Sequence, residues 1–463
     1  MPTPSDELLE RLNHYEQQHV LKWWPDLTAD QQQRLSEQLQ AVDFPTIQTV
    51  WQANQEETAA APSLQQQPRA EIAQAPSSVV RQPSSVADQE IRAAAAVVGA
   101  QLLADSRVAV ITVAGGQGSR LGFDHPKGMF PVGPVSERTL FQIFAEQIQA
   151  RKRRHGGQIP WLIMTSSATH DETVAFFKQH DFLGLEQQTV VFFQQGSMPA
   201  VDAATGKLLL SGPDSLCLSP DGHGGLVTAL KSSGLLDKMA ADGIQHFFYH
   251  QVDNPTVILC DPVLIGLHHQ HGSQLTTNVV EKSSPTEKMG VLVELNGKLE
   301  IIEYSELTEQ QASKADESGQ WIFWAGNTAI HLFSREFFQQ LTDGTLQLEL
   351  HLASKKVPYL NDEGTLVEPT EPNAYKFERF IFDALPLAKI ALIVEGNRQR
   401  EFNPVKNATG NDSPATAKAA LNRIAREWVQ AAGQIVSEDS DLEISPLEAL
   451  DAEEFVRNCE SRG

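Results

Sequence analysis

From Val108 to Gly133 the chain reads VAVITVAGGQGSRLGFDHPKGMFPVG. Val110, Ile111, Thr112 and Val113 are β-formers that run straight into Gly115, Gly116 and Gly118, and Arg120, Pro126, Lys127 and Gly128 follow. A buried strand that ends in a glycine-rich turn brings bare backbone N–H groups to the carboxyl edge of a sheet. Residues without Cβ let phosphate oxygens come close to those donors. Arg120 and Lys127 add positive charge where such an anion would sit. The segment reads as a loop that grips a triphosphate.

Two better-known glycine motifs do not fit it. A Walker loop closes on Gly-Lys-Ser/Thr, whereas Lys127 lies between Pro126 and Gly128. The dinucleotide fingerprint needs glycine at Leu121 and an acid closing a second strand some way on; Glu137, the candidate, sits in a polar run with no strand before it. An NAD-dependent oxidoreductase is disfavoured on both counts.

The elements that must hold this loop follow from periodicity. An Ala-rich helix over 90–104 precedes the strand, and a helix starts at Leu140. WLIMTS (161–166), TVVFFQQ (189–195) and HFFYHQVDN (246–254) are apolar runs that end in polar residues, the pattern of a buried, largely parallel sheet. Ligands of such sheets bind beyond the strand carboxyl ends, where the glycine loop, Gln195 and Asp253 all fall. Over 275–304, VLVEL and LEIIEY flank Asn296-Gly297, a hairpin signal.

The flanks read differently. Residues 5–52 predict two helices, with Leu8, Leu12, Tyr15 and His19 at helical spacing and a Thr28/Gln31 capping box before Leu35, Leu39 and Val42. A Gln/Ala/Pro/Ser stretch from about 53 to 87 predicts a linker or surface wrap. Ser413 and Pro414 open a last helix with Leu421, Ile424 and Trp428 on one face, and the tail from 435 is short and acidic. The expected division is an N-terminal helical segment and linker (1–87), an α/β domain (88–400) and a C-terminal segment (401–463).

Composition narrows the classes. A net charge of −23 argues against nucleic acid or an anionic membrane as partner. Phosphate binding in such a chain has to be local: a few cations and Mg²⁺ in one cleft, screened from the rest beyond about 8–10 Å. No apolar run reaches the length of a membrane span and MPTPSDELLERL lacks a signal layout, which reads as cytoplasmic. Cys217, Cys260 and Cys459 show no metal or redox spacing. RKRR (151–154) is expected to be a solvated helix end, and His268, His269 and His271 a polar one.

GGQGSRLG followed by PKGM resembles the nucleotidyltransferases that make UDP-sugars, in particular the eukaryotic-type UDP-N-acetylglucosamine pyrophosphorylases. The resemblance continues in order through QQGSMPA, SPDGHGG, VDN, EKSSPTEKMG, EYSE, AGN, PNAYKFERF and FNPVKN, from about residue 5 to 450. It implies a Rossmann-like α/β fold with a mixed, largely parallel sheet flanked by helices. The implied reaction joins UTP to N-acetylglucosamine 1-phosphate with loss of pyrophosphate. Glucose 1-phosphate or a broad range of sugars is the alternative, and a non-catalytic UDP-sugar sensor is the alternative of another class.

Anion meets anion in that reaction, so catalysis is positioning and charge neutralisation. Arg120, whose fork suits equatorial phosphate oxygens, is the candidate to stabilise them and the leaving pyrophosphate, and Lys127 the candidate to hold the triphosphate. Gly115, Gly116 and Gly222 let ring and phosphates lie against backbone, and Gln195 offers an amide to a uracil edge. The resemblance puts Lys376 on the nucleotide side and Lys406 on the sugar phosphate. Asp253, at a strand end, suits Mg²⁺. Gly290, Glu303 and Asn327 fall in the sugar-contact motifs. His223 stands where the acetylglucosamine branch carries asparagine, as in UDP-glucose pyrophosphorylases, whereas Glu303-Tyr304-Ser305 and Ala325-Gly326-Asn327 resemble the acetylamino-sugar branch. The family's C-terminal extension is usually longer.

Overall fold

In the computed structural model, residues 4–59, 69–437 and 439–462 are described. The chain forms two compact units, Met1–Gln66 with Gln195–Leu226 and Leu348–Ile381, and Gln67–Gln194 with Val227–Gln347 and Phe382–Gly463. The predicted boundaries at 87 and 400 both fall inside the second unit.

The second unit is built on a nine-stranded sheet. Its strands are β1 (Val108–Val113), β2 (Trp161–Thr165), β3 (Val190–Gln194), β4 (His246–Gln251), β5 (Leu275–Glu281), β6 (Val291–Leu295), β7 (Lys298–Ile302), β8 (Ala325–Ser334) and β9 (Ala391–Glu395). They lie in the order β7-β6-β8-β4-β1-β2-β3, with β5 pairing both β8 and β9. The run β4-β1-β2-β3 is parallel, as is β5 with β9, while β8 is antiparallel to β4, β5 and β6. This is the mixed, mostly parallel α/β sheet flanked by helices that the apolar runs predict. Val108, Val110, Trp161, Ile163 and Phe248 share one core with Leu103, Phe141, Phe144 and Ile265 from helices Val86–Ala104, Leu140–His155 and Pro262–Gln270. Strands covered in this way have no polar alternation to show. Between β6 and β7, Leu295 pairs Lys298 across Asn296 (φ 51°) and Gly297 (φ 77°), a two-residue turn that needs left-handed backbone at both positions.

The first unit gathers the N-terminal helices onto mid-chain strands. Leu8, Leu12, Leu35, Leu39 and Ile47 pack with Met198, Val201, Leu208, Leu216 and Phe377 in one cluster. Tertiary packing therefore claims a segment that reads as separate. Thr28 and Gln31 do form the capping box of Ala29–Ala41. The first helix is shorter than its spacing predicts, since it ends at His14 and Glu16 takes φ 56°. His19 lies in a 3₁₀ turn, its Nε2 2.8 Å from Leu208 O. A third helix, Phe44–Ala59, occupies the start of the expected linker. Part of that linker (60–68) lies outside the described residues; beyond it the chain wraps the sheet, Gln74 pairing Glu294 and Val80 pairing Val394.

Two expectations about charged runs are overturned. RKRR is not a solvated end. Arg151 is 3% exposed with its Nε donating to Leu259 O, Lys152 pairs Glu186, Arg153 donates to Leu447 O, and Arg154 pairs Asp451 and Glu454. Carboxylates distant in sequence neutralise two of the four cations, and backbone carbonyls hold the other two. His268 is likewise buried, with Nδ1 2.8 Å from Thr276 Oγ1, and burial holds its imidazole well below the ordinary pKa.

Candidate functional site

In the second unit the glycine loop leaves β1 at the sheet's carboxyl edge. Ala114 N–H donates to Met164 O (2.7 Å) and Val252 N–H to Val113 O (3.1 Å), so the ends of β1, β2 and β4 are tied together. Lys127 N–H donates to Gly116 O (3.0 Å) and Gly118 N–H to His125 O (2.9 Å), folding the loop back on itself. Ser166 Oγ holds Gly115 O at 2.8 Å. A Cβ added to Gly116 would meet nothing within 4 Å. Packing within the protein therefore does not demand glycine there, and the bare backbone faces open space. Arg120 is exposed and Lys127 half-buried, and neither side chain has a hydrogen bond or carboxylate partner among the described residues.

Asp253 follows β4 in a turn locked by Asn254. The Asn254 Oδ1 accepts from Thr256 Oγ1 (3.0 Å) and Asn403 N–H (3.1 Å), while its Nδ2 donates to Glu401 O. Asp253 O accepts from Val405 N–H at 2.8 Å, which sets Lys406 beside the turn. Asp412 O in turn accepts from Lys406 N–H (2.7 Å) and Asn407 N–H (2.9 Å). Burial raises the Asp412 carboxyl, with Lys406 opposing the shift and the charge of Asp253 reinforcing it, so these three groups share one field. The Lys406 ammonium lies 5.5 Å from the Phe402 ring centre.

The predicted sugar residues converge on the same neighbourhood. Asn327 N–H donates to Gly290 O at 2.9 Å, and a Cβ on Gly290 would sit 2.8 Å from Glu303 Oε1. Burial raises the Glu303 carboxyl, Glu306 and Asp383 reinforce the rise, and Lys406 opposes it. Asn327 Oδ1 also accepts from Ala329 N–H (3.0 Å), a residue at φ 56°. The side chain is thus a turn former through its oxygen, and its NH₂ has no hydrogen-bond partner among the described residues.

In the first unit, Gln195, Gly222, His223 and Lys376 are all half-buried. Gly222 takes φ 83°, and Gly224 N–H donates to Arg379 O at 2.8 Å. His223 Nδ1 accepts from Ile381 N–H at 3.1 Å, so the neutral ring carries its proton on Nε2. Lys376 pairs in register with Ala353 and has no carboxylate partner within 4 Å among the described residues.

Asp221 is the residue that sequence reasoning missed. It is 4% exposed, its Oδ1 has no hydrogen-bond partner, and a Cβ on Gly196 or Gly225 would strike its carboxylate at 2.6 or 2.0 Å. The only signal was an acid set among small residues in SPDGHGG. Burial pushes its carboxyl up to about 6, with Arg379 opposing. The unfolded chain loses this proton near the ordinary carboxylate value while the folded chain keeps it to about 6, so stability falls as pH rises through that window. We expect Asp221→Asn to melt higher than the parent at pH 8 and to converge with it near pH 4. Parallel melting curves at all pH values would show that the carboxyl ionises normally.

Among the described residues no three His, Cys, Asp or Glu side chains form a ready metal cage. No helix of the described residues is long and apolar enough to cross a membrane.

A strand-end glycine loop with unpaired cations, followed by an acid at the end of a parallel neighbour, marks the class: an α/β nucleotidyltransferase. The family described as UTP–glucose-1-phosphate uridylyltransferase matches residues 56–462, and the chain belongs to it. A "UDP-N-acetylhexosamine pyrophosphorylase-like protein 1" from Xenopus tropicalis is 41% identical over 345 residues, 72% of this chain and 67% of that protein. "UDP-N-acetylglucosamine diphosphorylase 2" from Arabidopsis thaliana is 35% identical over 486 aligned positions, 99% of this chain and 93% of its own. Among solved structures, a uridine diphosphate N-acetylglucosamine pyrophosphorylase from Trypanosoma brucei, crystallised with an inhibitor, aligns with a TM-score of 0.83 at 25% identity, covering 100% of this chain and 96% of that one.

Proposed function

We propose that the protein makes UDP-N-acetylglucosamine and pyrophosphate from UTP and N-acetylglucosamine 1-phosphate. The observation that carries the sugar assignment is the convergence of Gly290, Glu303 and Asn327 beside Lys406. A half-buried carboxylate and an amide NH₂ are groups that read hydroxyl and acetylamino substituents, and a neighbouring ammonium suits the sugar's phosphate. The relatives named for the acetylated sugar, from Arabidopsis and Trypanosoma, support the same reading.

In this reading Gly115, Gly116 and Lys127 hold the triphosphate, and Gln195, Gly222 and Lys376 take the uridine side. Lys406 orients the sugar phosphate oxygen for in-line attack on the α-phosphorus. Arg120 neutralises charge that builds on the equatorial oxygens and on departing pyrophosphate. Asp253, with Asp412 in the same field, would hold Mg²⁺; the ion supplies charge neutralisation across the phosphates. No side chain has to act as a nucleophile. Every partner needed is a small anion, and action in the cytoplasm fits them.

Pyrophosphate release from UTP and Mg²⁺ with N-acetylglucosamine, N-acetylgalactosamine, glucose and galactose 1-phosphates side by side tests the assignment. A preference for acetylated sugars is expected. A preference for glucose would move the enzyme to the other branch, with His223 as the first suspect, and silence with all four would favour a sensor.

One variant isolates the acetyl reader. Asn327→Asp keeps the oxygen that holds Ala329 N–H and loses the NH₂ donor. We expect kcat/KM for the acetylated sugar to fall by about 10-fold to 100-fold, with a smaller loss for glucose 1-phosphate. Equal losses for both sugars would remove Asn327 from that role.

A further inference from the structure

The second unit encloses a cavity away from the residues assigned above, beneath the chain's C-terminal segment. Ile143, Val257, Ile424, Trp428, Ile444 and Leu450 form its apolar walls. Its volume is about 70 Å³. Arg138 and Arg400 also line it, and their situations differ. Arg138 is committed to Glu146 (2.7 Å) and Glu443 (3.1 Å). Nearby Arg154 has Asp451 and Glu454, and Arg151 has a backbone carbonyl. The Arg400 guanidinium has only the Trp428 ring, 5.5 Å from its central carbon; no carboxylate lies within 4 Å and its side chain donates no hydrogen bond among the described residues.

A guanidinium carries five donors and stays charged in a protein. Holding one against an apolar cavity with no anion is unfavourable, and a carboxylate accepts two parallel N–H bonds from that fork. The chain's own acids that feel Arg400 (Glu401, Asp261 and Glu427) do not reach it.

The walls connect to the proposed chemistry on two sides. Pro255, Thr256 and Val257 line the cavity and belong to the turn that begins at Asp253. Glu443 lines it too, and its carboxylate accepts from Val135 N–H (2.9 Å), Ser136 N–H (2.7 Å) and Ser136 Oγ (2.6 Å). It thereby pins the stretch that follows the glycine loop.

We propose that this cavity is an effector site for a small monocarboxylate with an apolar body. The carboxylate pairs with Arg400, the body lies among Ile424, Trp428 and Ile444, and occupancy shifts the Asp253 turn and the 133–138 stretch. The occupancy claim stands apart from the proposed reaction; the coupling claim rests on it.

Calorimetric titration and melting shifts with benzoate, against uncharged benzamide, test occupancy on the full chain without any turnover. Saturable benzoate binding in the millimolar range is expected, at least about tenfold tighter than benzamide. Arg400→Gln should weaken benzoate about tenfold or more, and Ile444→Trp, which fills the space from the tail side, should abolish it. Both variants should show the parent's circular dichroism and a single cooperative melt, which certifies their fold. Absence of saturable binding, equal binding of benzamide, or full retention in a folded Arg400→Gln protein would overturn the site. Benzoate that binds without changing KM or kcat for UTP would overturn the coupling alone.

Discussion

Arg120→Ala should lower kcat for UDP-sugar formation by about 10³-fold while leaving the melting temperature where it was. The side chain is exposed, has no hydrogen bond or carboxylate partner among the described residues, and sits in a three-residue 3₁₀ turn that its backbone alone sustains. Its removal therefore has no structural route to inactivity. A cation aimed at charge that develops in a phosphoryl-transfer transition state is commonly worth this factor or more. In the proposed reading the glycine backbone and Lys127 hold the ground-state triphosphate, so the loss is expected in kcat and not in KM. Arg120→Lys should recover part of the rate, since it restores charge but not the planar fork. Steady-state pyrophosphate release with both substrates varied decides the matter: a rise in KM for UTP at unchanged kcat would make Arg120 a docking residue.

Asp253→Asn is the second large effect. The carbonyl of residue 253, not its carboxylate, holds Val405 N–H, and Asn254 locks the turn independently, so the amide variant should keep the parent fold. We expect kcat to fall by about 10²-fold to 10³-fold and the Mg²⁺ concentration for half-maximal rate to rise by about tenfold or more. Activity measured across a Mg²⁺ titration gives both numbers at once. A loss of rate at unchanged Mg²⁺ dependence would take Asp253 out of the metal site and leave it a neighbour of Lys406.

The net charge of −23 makes the local arrangement of cations informative. Within the RKRR run Lys152 and Arg154 meet carboxylates, while Arg151 and Arg153 donate to backbone carbonyls. Arg120, Lys127, Lys376 and Lys406 nonetheless have no carboxylate within 4 Å among the described residues. Arg400 likewise has none, and it lines the cavity beneath the C-terminal segment.

Strand and loop at the nucleotide end were legible because their information is local. Val110–Val113 can only be a buried strand, and three glycines after it can only be a turn with accessible backbone. The Thr28 and Ser413 caps, the Asn296-Gly297 hairpin and the ends of β1, β2 and β4 were readable for the same reason, since each depends on neighbours within a few residues. Family resemblance extended that reading to Lys376, Lys406 and Asn327, none of which stands out by itself.

Tertiary structure decided everything that depends on partners distant in sequence. Asp451 and Glu454 turned RKRR from surface into an anchor for the C-terminal segment, and Thr276 made His268 a buried hydrogen-bonded ring. The N-terminal helices joined strands nearly two hundred positions away because their apolar faces find no core of their own. Asp221 carries no local signal of its burial, which comes from Gly196 and Gly225 closing over it. By itself the sequence determined the chemistry on offer, because residue types and short spacings carry it. Only the folded chain decided which charges are neutralised and which are left for a ligand, because burial and pairing are properties of three-dimensional neighbours.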